Sequence, residues 1–124
     1  MQDFRKLKVW DKAHQLALGI YQVTARFPRE ELYGLTSQIR RASISIPTNL
    51  AEGCSRSTDA EFARFLQIAM GSASETEYEL LLSLDLGFMT RDKYSELDVA
   101  TKEEKRMLSS MIKTVRSRPL IAES

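Results

Sequence analysis

The sequence predicts an all-α fold, an antiparallel up-down bundle of four helices in a single domain over residues 1–124. Apolar residues recur every three or four positions in four long segments, which is the period of a helix with one buried face. Proline, glycine or capping residues bound each segment, and the connections between segments are short. Short connections favour packing of each helix against its neighbours in sequence.

The first segment extends from about Leu7 to Arg26. Its apolar stripe steps by three or four residues through Val9, Ala13, Leu16 and Ile20. Pro28 is expected to end the helical region, because the residue before a proline is displaced from helical backbone angles.

The second segment extends from about Leu32 to Glu52 and contains Pro47, which lacks the amide hydrogen that a helix needs. In one reading the helix is continuous and kinked at Pro47. In the other, a first helix ends near Ser45 and Pro47 occupies the first turn of a short new one. The unbroken apolar series favours the kinked helix, and Gly53 is expected to end it in a left-handed conformation.

The third segment begins at a capping box, in which Thr58 is followed three residues later by Glu61. It extends to about Leu86, and Gly87 is expected to stop it.

The fourth segment extends from about Arg91 to Ser117, with Thr90 as its expected N-cap. Its apolar stripe is weaker around residues 103–105. Pro119 is expected to end it.

The composition is that of a globular protein, with 43% hydrophobic residues, 28% charged residues and a net charge of +1. The charge is unevenly distributed, since residues 58–90 carry six acidic side chains and one basic side chain. No apolar run approaches the roughly 18 residues of a membrane span. The only cysteine is Cys54, and the N-terminus shows no signal peptide, so a cytoplasmic location is expected.

Three stretches of the chain carry an unusual pattern: "FRKLKVWDKAHQL", "IYQVTARFPREELYGLTSQIRRASISIPTNLAEG" and "FARFLQIAMGSASETEYEL". They fall within about residues 4–87 and resemble a bacterial family of four-helix-bundle proteins. Members of this family were first identified as reading frames within intervening sequences of 23S ribosomal RNA genes. A relative of the family is the accessory variability determinant of diversity-generating retroelements, a ring-like pentamer that binds nucleic acid and a reverse transcriptase. The resemblance implies a homopentamer and does not imply an enzyme.

A polar stripe follows the second segment beside its apolar stripe, and its members step by three or four residues: Gln38, Arg41, Ser45, Asn49 and Glu52. We interpret it as a subunit interface or a buried polar network, with a solvated helix face as the alternative. If Arg41 is buried, it needs a carboxylate partner, because an unpaired buried charge is costly. Glu75 and Glu79 of the acidic third segment are the candidates.

Six basic residues are candidates for contact with nucleic acid: Arg5, Lys6, Lys8, Lys12, Arg40 and Arg56. Repetition of these charges in an oligomer would allow several phosphate contacts at once. The expected partners are therefore copies of this chain and RNA, DNA or a nucleic-acid enzyme such as a reverse transcriptase. Trp10, Tyr21 and Tyr33 have the side chains to stack on bases, but their positions favour core packing.

The predicted function is a non-enzymatic homo-oligomeric module that binds or scaffolds nucleic-acid-associated partners, without catalytic, cofactor or metal residues. Self-association is expected because several large apolar or aromatic side chains lie outside the narrow apolar stripes that one bundle can bury. These residues are Trp10, Tyr21, Ile44, Met70 and Tyr78. One alternative is a Mg²⁺-dependent nucleotide pyrophosphohydrolase with Glu75 and Glu79 as paired carboxylates. Such a site needs a second carboxylate pair from another helix. A structural oligomer without a nucleic-acid partner is the other alternative.

Overall fold

The computed structural model describes residues 2–118, and within that range the chain forms helices and no strand. Its four long helices are α1 (Lys8–Thr24), α2 (Leu35–Cys54), α3 (Asp59–Asp85) and α4 (Arg91–Arg116). Short 3-10 helices, Phe4–Lys6 and Arg29–Glu31, precede α1 and α2. The all-α fold and the four predicted helices are confirmed. The expected stop at Pro119 lies outside the described residues.

The four helices surround one apolar core. Helix α1 packs against α2 and α4, and α3 packs against the same two helices. The largest fully buried apolar side chains come from all four helices: Ile20, Ile39, Ile46, Leu50, Leu66, Leu80 and Leu108. These residues belong to the predicted stripes, because helical periodicity places every third or fourth residue on one face. The antiparallel order of the helices stays a prediction.

Helix α2 runs through Pro47 without interruption. The alternative in which a first helix ends near Ser45 is therefore wrong. Pro47 is buried, so tertiary packing holds this part of the chain in a helix despite the missing amide donor. The bend expected at this position stays a prediction.

Gly53 does not end α2 in a left-handed conformation, so that prediction is wrong. The helix continues to Cys54, and Gly53 is buried within it. A Cβ atom at Gly53 would lie 2.9 Å from Cδ1 of Phe62 and 3.0 Å from Cβ of Phe65. The residue is small because α3 passes close to the end of α2. By contrast, Gly87 has a φ of 78° after α3, as a glycine at a helix end often does.

Both predicted N-caps are confirmed. The Thr58 hydroxyl accepts a hydrogen bond from the amide of Glu61 at 3.2 Å, and the Thr90 hydroxyl accepts one from the amide of Lys93 at 3.2 Å. At the start of α2, the Glu31 carboxylate accepts a hydrogen bond from the amide of Leu35 at 3.1 Å. Each contact satisfies an amide that has no partner within its own helix.

The start of the chain and the end of α4 meet at one end of the bundle, which we call the terminal end. The amide of Gln2 donates a hydrogen bond to the carbonyl of Cys54 at 3.1 Å. Arg118 Nη1 lies 2.8 Å from Asp59 Oδ1, which joins the end of α4 to the start of α3. Residues that are distant in sequence are therefore neighbours there.

Candidate interaction surfaces

An open apolar groove of 710 Å³ lies between α1 and α2, and we call it the α1–α2 groove. Its main lining residues are Trp10, His14, Leu18, Tyr21, Ile44 and Pro47. Leu18, Tyr21 and Ile44 are 46%, 40% and 39% exposed, although each is a large apolar or aromatic side chain. Exposed contiguous apolar surface of this kind marks interaction sites more often than isolated exposed side chains do.

Aromatic rings hold the shape of the groove near the terminal end. The Trp10 and His14 rings are stacked, with centroids 5.0 Å apart and planes 9° apart. Phe4 meets the edge of Trp10 at a centroid distance of 4.9 Å. These contacts fix Trp10 as part of the groove wall, where it also packs against the core.

Past Ile44, the groove continues along α2 into a second depression lined by Tyr33, Arg40 and Arg41. The Arg40 guanidinium lies 4.4 Å from the centroid of the Tyr21 ring and donates a hydrogen bond to the Thr24 hydroxyl at 2.8 Å. This contact fixes the Arg40 side chain between α1 and α2. Tyr33 is nearly fully exposed, so the prediction that it packs in the core is wrong.

Three large apolar or aromatic side chains of α3 are also exposed, at separate positions along the helix: Ile68, Tyr78 and Leu81. Tyr78 is the most exposed of the three, at 60%. Met70, which the sequence places outside the narrow apolar stripes, instead packs half-buried against the core. The exposed apolar residues therefore comprise the lining of the α1–α2 groove and single side chains on α3.

The polar stripe of α2 is partly drawn into a network with α3. Asn49 Nδ2 donates to the Ser45 carbonyl at 2.8 Å and to the Ser45 hydroxyl at 2.9 Å. The Ser72 hydroxyl on α3 donates to Ser45 Oγ at 2.8 Å. Gln38 and Glu52 remain exposed at the two ends of the stripe. The structure thus assembles the middle of the stripe and leaves its ends in solvent.

Arg41 is exposed and does not form the expected ion pair with Glu75 or Glu79 within residues 2–118. Its guanidinium instead lies 3.5 Å from Gln38 Oε1. Burial and the neighbouring Glu75 carboxylate together raise the pKa of Glu79 to about 7, while the charge of Arg41 opposes them. Arg41 therefore acts on Glu79 through its charge and not through direct contact.

Four of the six basic candidates have partners within the described chain. Lys12 pairs with Glu103, Arg56 pairs with Glu52 at 2.7 Å and Arg5 approaches Asp3 at 3.4 Å, while Arg40 lies on Tyr21 as described above. The contact with Glu103 raises the pKa of Lys12 and lowers that of Glu103. Lys6 and Lys8 are exposed and take part in no ion pair within the described range.

The terminal end gathers more basic residues than sequence reasoning assigned to it. Arg64, Arg116 and Arg118 border one surface depression formed by α3 and α4. Because Gln2 contacts Cys54, the exposed Lys6 and Lys8 lie at this same end. Only the tertiary contacts reveal this grouping, since Lys6 and Arg116 are far apart in sequence.

Helix α4 carries a buried acid that the sequence analysis did not identify. Glu104 is 1% exposed, and neither of its carboxylate oxygens has a hydrogen-bond partner in the described structure. Burial raises its pKa to about 8, with Lys12 lowering it and Glu103 raising it. The weak point in the fourth stripe around residues 103–105 was the signal, because Glu104 occupies a core position there.

Two further properties concern other classes of site. Among residues 2–118, no three His, Cys, Asp or Glu side chains are grouped so as to hold a metal ion. None of the helices in this part of the chain is long and apolar enough to cross a membrane.

Comparison with known proteins gives a family and a fold. A family model described as 23S rRNA-intervening sequence protein matches residues 5–110. The chain is also similar to the crystal structure of a protein of unknown function from the S23 ribosomal protein family of Bacteroides thetaiotaomicron, with 30% sequence identity and a TM-score of 0.77. This similarity covers 85% of this chain and 98% of that chain. No curated protein matches the chain.

Proposed function

The chain belongs to the family of 23S rRNA-intervening sequence proteins, and from that membership we propose that it is a non-enzymatic helical bundle that binds copies of itself and presents a basic end to nucleic acid. The observation that carries the proposal is the α1–α2 groove, which lies within the matched residues. One chain leaves this apolar surface open to water, and a partner that covers it gains the free energy of apolar burial.

Assembly into a pentamer and association with a reverse transcriptase are the finer parts of the proposal. They rest on the resemblance to the accessory determinant of diversity-generating retroelements. Light scattering at several protein concentrations measures the assembly directly. We expect a mass that is a multiple of the 14.2 kDa of one chain. A mass of one chain at every concentration would contradict self-association.

Nucleic-acid binding is assigned to the terminal end. Its exposed cations, Lys6, Lys8, Arg64 and Arg116, form no ion pair within residues 2–118. Cations without a protein partner are the ones that can neutralise phosphates and release counterions. Repetition of this end in an oligomer multiplies the contacts, which offsets the small net charge of +1 on each chain.

The double variant K6E/K8E tests this assignment. We expect it to weaken binding of a labelled single-stranded RNA or a DNA duplex by about tenfold or more at low salt, and to flatten the dependence of binding on salt. Fluorescence anisotropy over a series of salt concentrations measures both effects. The matched control is R91E/K93E, which makes the same change of charge at the start of α4, about 20 Å along that helix from the residues that border Lys8, at 1.5 Å per residue.

The outcomes separate the candidate functions. If K6E/K8E loses nucleic-acid binding and R91E/K93E binds nearly as the wild type does, the result supports binding at the terminal end. Equal loss in both would indicate a response to overall charge alone. An oligomer that binds neither nucleic acid at low salt would be the purely structural alternative. For the hydrolase alternative, Mg²⁺-dependent turnover of nucleoside triphosphates that disappears in Glu75→Gln would overturn the non-enzymatic proposal.

A further inference from the structure

We propose that a cleft between the end of α1 and the start of α4 binds a small amphipathic anion, of the class of a free medium-chain carboxylate. We call this feature the α1–α4 cleft. It has a volume of 370 Å³, and its apolar lining consists of Gly19, Val23, Phe88, Met89 and Leu97. Among the described residues it has no lining residue in common with the α1–α2 groove, so the inference is independent of the proposed self-association.

One end of the α1–α4 cleft is closed by close approach of the two helices. A Cβ atom at Gly19 would lie 3.0 Å from Cδ2 of Leu97, so the backbone of α1 lies against a side chain of α4 at this point. Leu97 is buried there, whereas Val23, one turn further along α1, is only half-buried. Apolar surface therefore remains open to a ligand beyond the closed contact.

The connection between α3 and α4 forms a further wall of the cleft. Gly87 turns the chain with a φ of 78°, and the amide of Phe88 donates a hydrogen bond to the Ser83 carbonyl at 2.9 Å. The Phe88 ring also packs against Phe27, with centroids 5.5 Å apart. Met89 lies next to this fixed ring, and its unbranched side chain can adjust to the shape of a ligand. The wall thus combines a rigid part with an adaptable part.

The dimensions of the α1–α4 cleft match a chain of about ten carbon atoms. Its α1 lining extends from Gly19 to Arg26, which is about 10 Å at 1.5 Å per residue. At about 30 Å³ for each water-sized group, the 370 Å³ volume holds about twelve such groups. Decanoate has this number of non-hydrogen atoms, whereas a lipid with two acyl chains is larger than the cleft. Ligand sites are commonly concave, mostly apolar clefts with a few polar groups that orient the ligand.

Two cations border the cleft away from the closed contact. Arg26 lies seven residues past Gly19 on α1, and Lys93 lies four residues before Leu97 on α4. Arg26 takes part in no ion pair within residues 2–118, and Lys93 makes a 3.5 Å contact with the exposed Glu96. Because Glu96 also lines the cleft, the rim carries two positive charges and one negative charge. Apolar walls beneath a positive rim are complementary to an apolar ligand with one anionic end.

Binding of decanoate, followed through the methyl groups of the methionines, tests the location of the site. Met89 lines the α1–α4 cleft, whereas Met107 and Met111 line a different depression beside Lys8. In protein labelled with ¹³C at the methionine methyl groups, we expect decanoate to shift the NMR signal of Met89 saturably and to leave that of Met107 unchanged. The variant Met89→Leu identifies the signal by removing it.

Charge variants test the position of the carboxylate. R26Q/K93Q should weaken decanoate binding by about fivefold or more, and Glu96→Gln should strengthen it by about twofold, since exposed charges interact with modest energies. Decanol has the same chain without the charge, so it should bind more weakly than decanoate and with one affinity for all these proteins. The matched control is R106Q/K113Q, which removes two positive charges of α4 outside the cleft.

The contrary results are distinct. A Met89 signal that does not move, or that moves no more than the Met107 signal, would overturn the assignment of the cleft. Equal weakening in R26Q/K93Q and R106Q/K113Q, or decanol binding as tight as that of decanoate, would overturn the anionic character of the ligand. The measurement requires neither an oligomer nor nucleic acid, so its failure leaves the proposed function standing.

Discussion

Helices α2 and α4 pack against the same two neighbours, α1 and α3, yet they use opposite chemistry. Every buried residue of α2 is uncharged, and its contacts to α3 include the hydrogen bond between Ser45 and Ser72. Helix α4 joins α1 through the ion pair of Glu103 with Lys12, and it joins α3 through that of Lys105 with Glu77. It also buries the acids Asp98 and Glu104.

This difference in chemistry also distinguishes the outer surfaces of the α2 and α4 sides of the bundle. On the α4 side, ion pairs between helices lie partly exposed to water, and two acids are buried. On the α2 side, apolar surface remains outside after the core is complete, as the 39% exposure of Ile44 shows. The α2 side is thus suited to a protein partner, and the α4 side is suited to solvent.

The largest expected effect concerns the acid buried by α4. Because the folded-state pKa of Glu104 is raised to about 8, its carboxyl is protonated in the folded protein at low pH. The stabilisation that this raised pKa gives is present below the unfolded pKa of about 4.5 and is lost as pH rises towards 8. Between pH 5 and 8 we expect Glu104 to lower the free energy of unfolding by on the order of 3 kcal/mol.

Glu104→Gln should remove most of this pH dependence, since the amide does not ionise. Urea denaturation at pH 5, pH 7 and pH 8 measures the effect in both proteins. Glu79→Gln is the control, because the pKa of Glu79 is raised to about 7 and its contribution ends at a lower pH. An unchanged slope above pH 7 in Glu104→Gln would contradict the assignment to Glu104.

The next effect tests how closely α2 approaches α3. Gly53→Ala should destabilise the protein by about 1–3 kcal/mol, because the added methyl group meets Phe62 and Phe65 at about 3 Å. The matched control is Gly71→Ala, which adds a methyl group in open space within a helix. It should stabilise the chain by about 0.5–1 kcal/mol. Thermal unfolding of both variants gives the comparison, and equal effects would show that the contact at Gly53 relaxes freely.

The smallest effect tests the ion pairs of α4. Lys105→Ala removes the partner of Glu77 at a partly exposed site, so we expect a loss of less than about 1 kcal/mol that shrinks as salt is added. Lys113→Ala, on the same helix and outside the ion pairs of residues 2–118, should change stability less. If the loss in Lys105→Ala were large and insensitive to salt, the α4 side would depend on its charges as strongly as α2 depends on its packing.

The helices could be predicted from the sequence because their signals are local. The apolar period and the caps at Thr58 and Thr90 involve residues only a few positions apart. The role of Gly53 could not be predicted in this way, since it depends on the approach of Phe62 from the next helix. A glycine near the end of an apolar stripe predicts the end of the helix unless the packing of the next helix is known.

The candidate surfaces divide in the same way. Tyr21 and Ile44 could be recognised as surplus apolar residues from their places on the helical stripes. That they form one groove depends on how α1 and α2 pack. The neutralisation of Lys12 by Glu103 joins residues separated by most of the chain, so no local pattern reveals it. Phosphate-binding candidates chosen by charge alone therefore included side chains that the fold already uses.

Cys54 gives the bundle an internal reporter. Its side chain is 3% exposed, burial raises the pKa of its thiol, and its carbonyl accepts the amide of Gln2. A maleimide or disulfide reagent attacks the thiolate and reaches it only when the structure around the last turn of α2 opens. The rate of labelling at this single sulfur atom is therefore a clock for that opening, which needs no engineered probe.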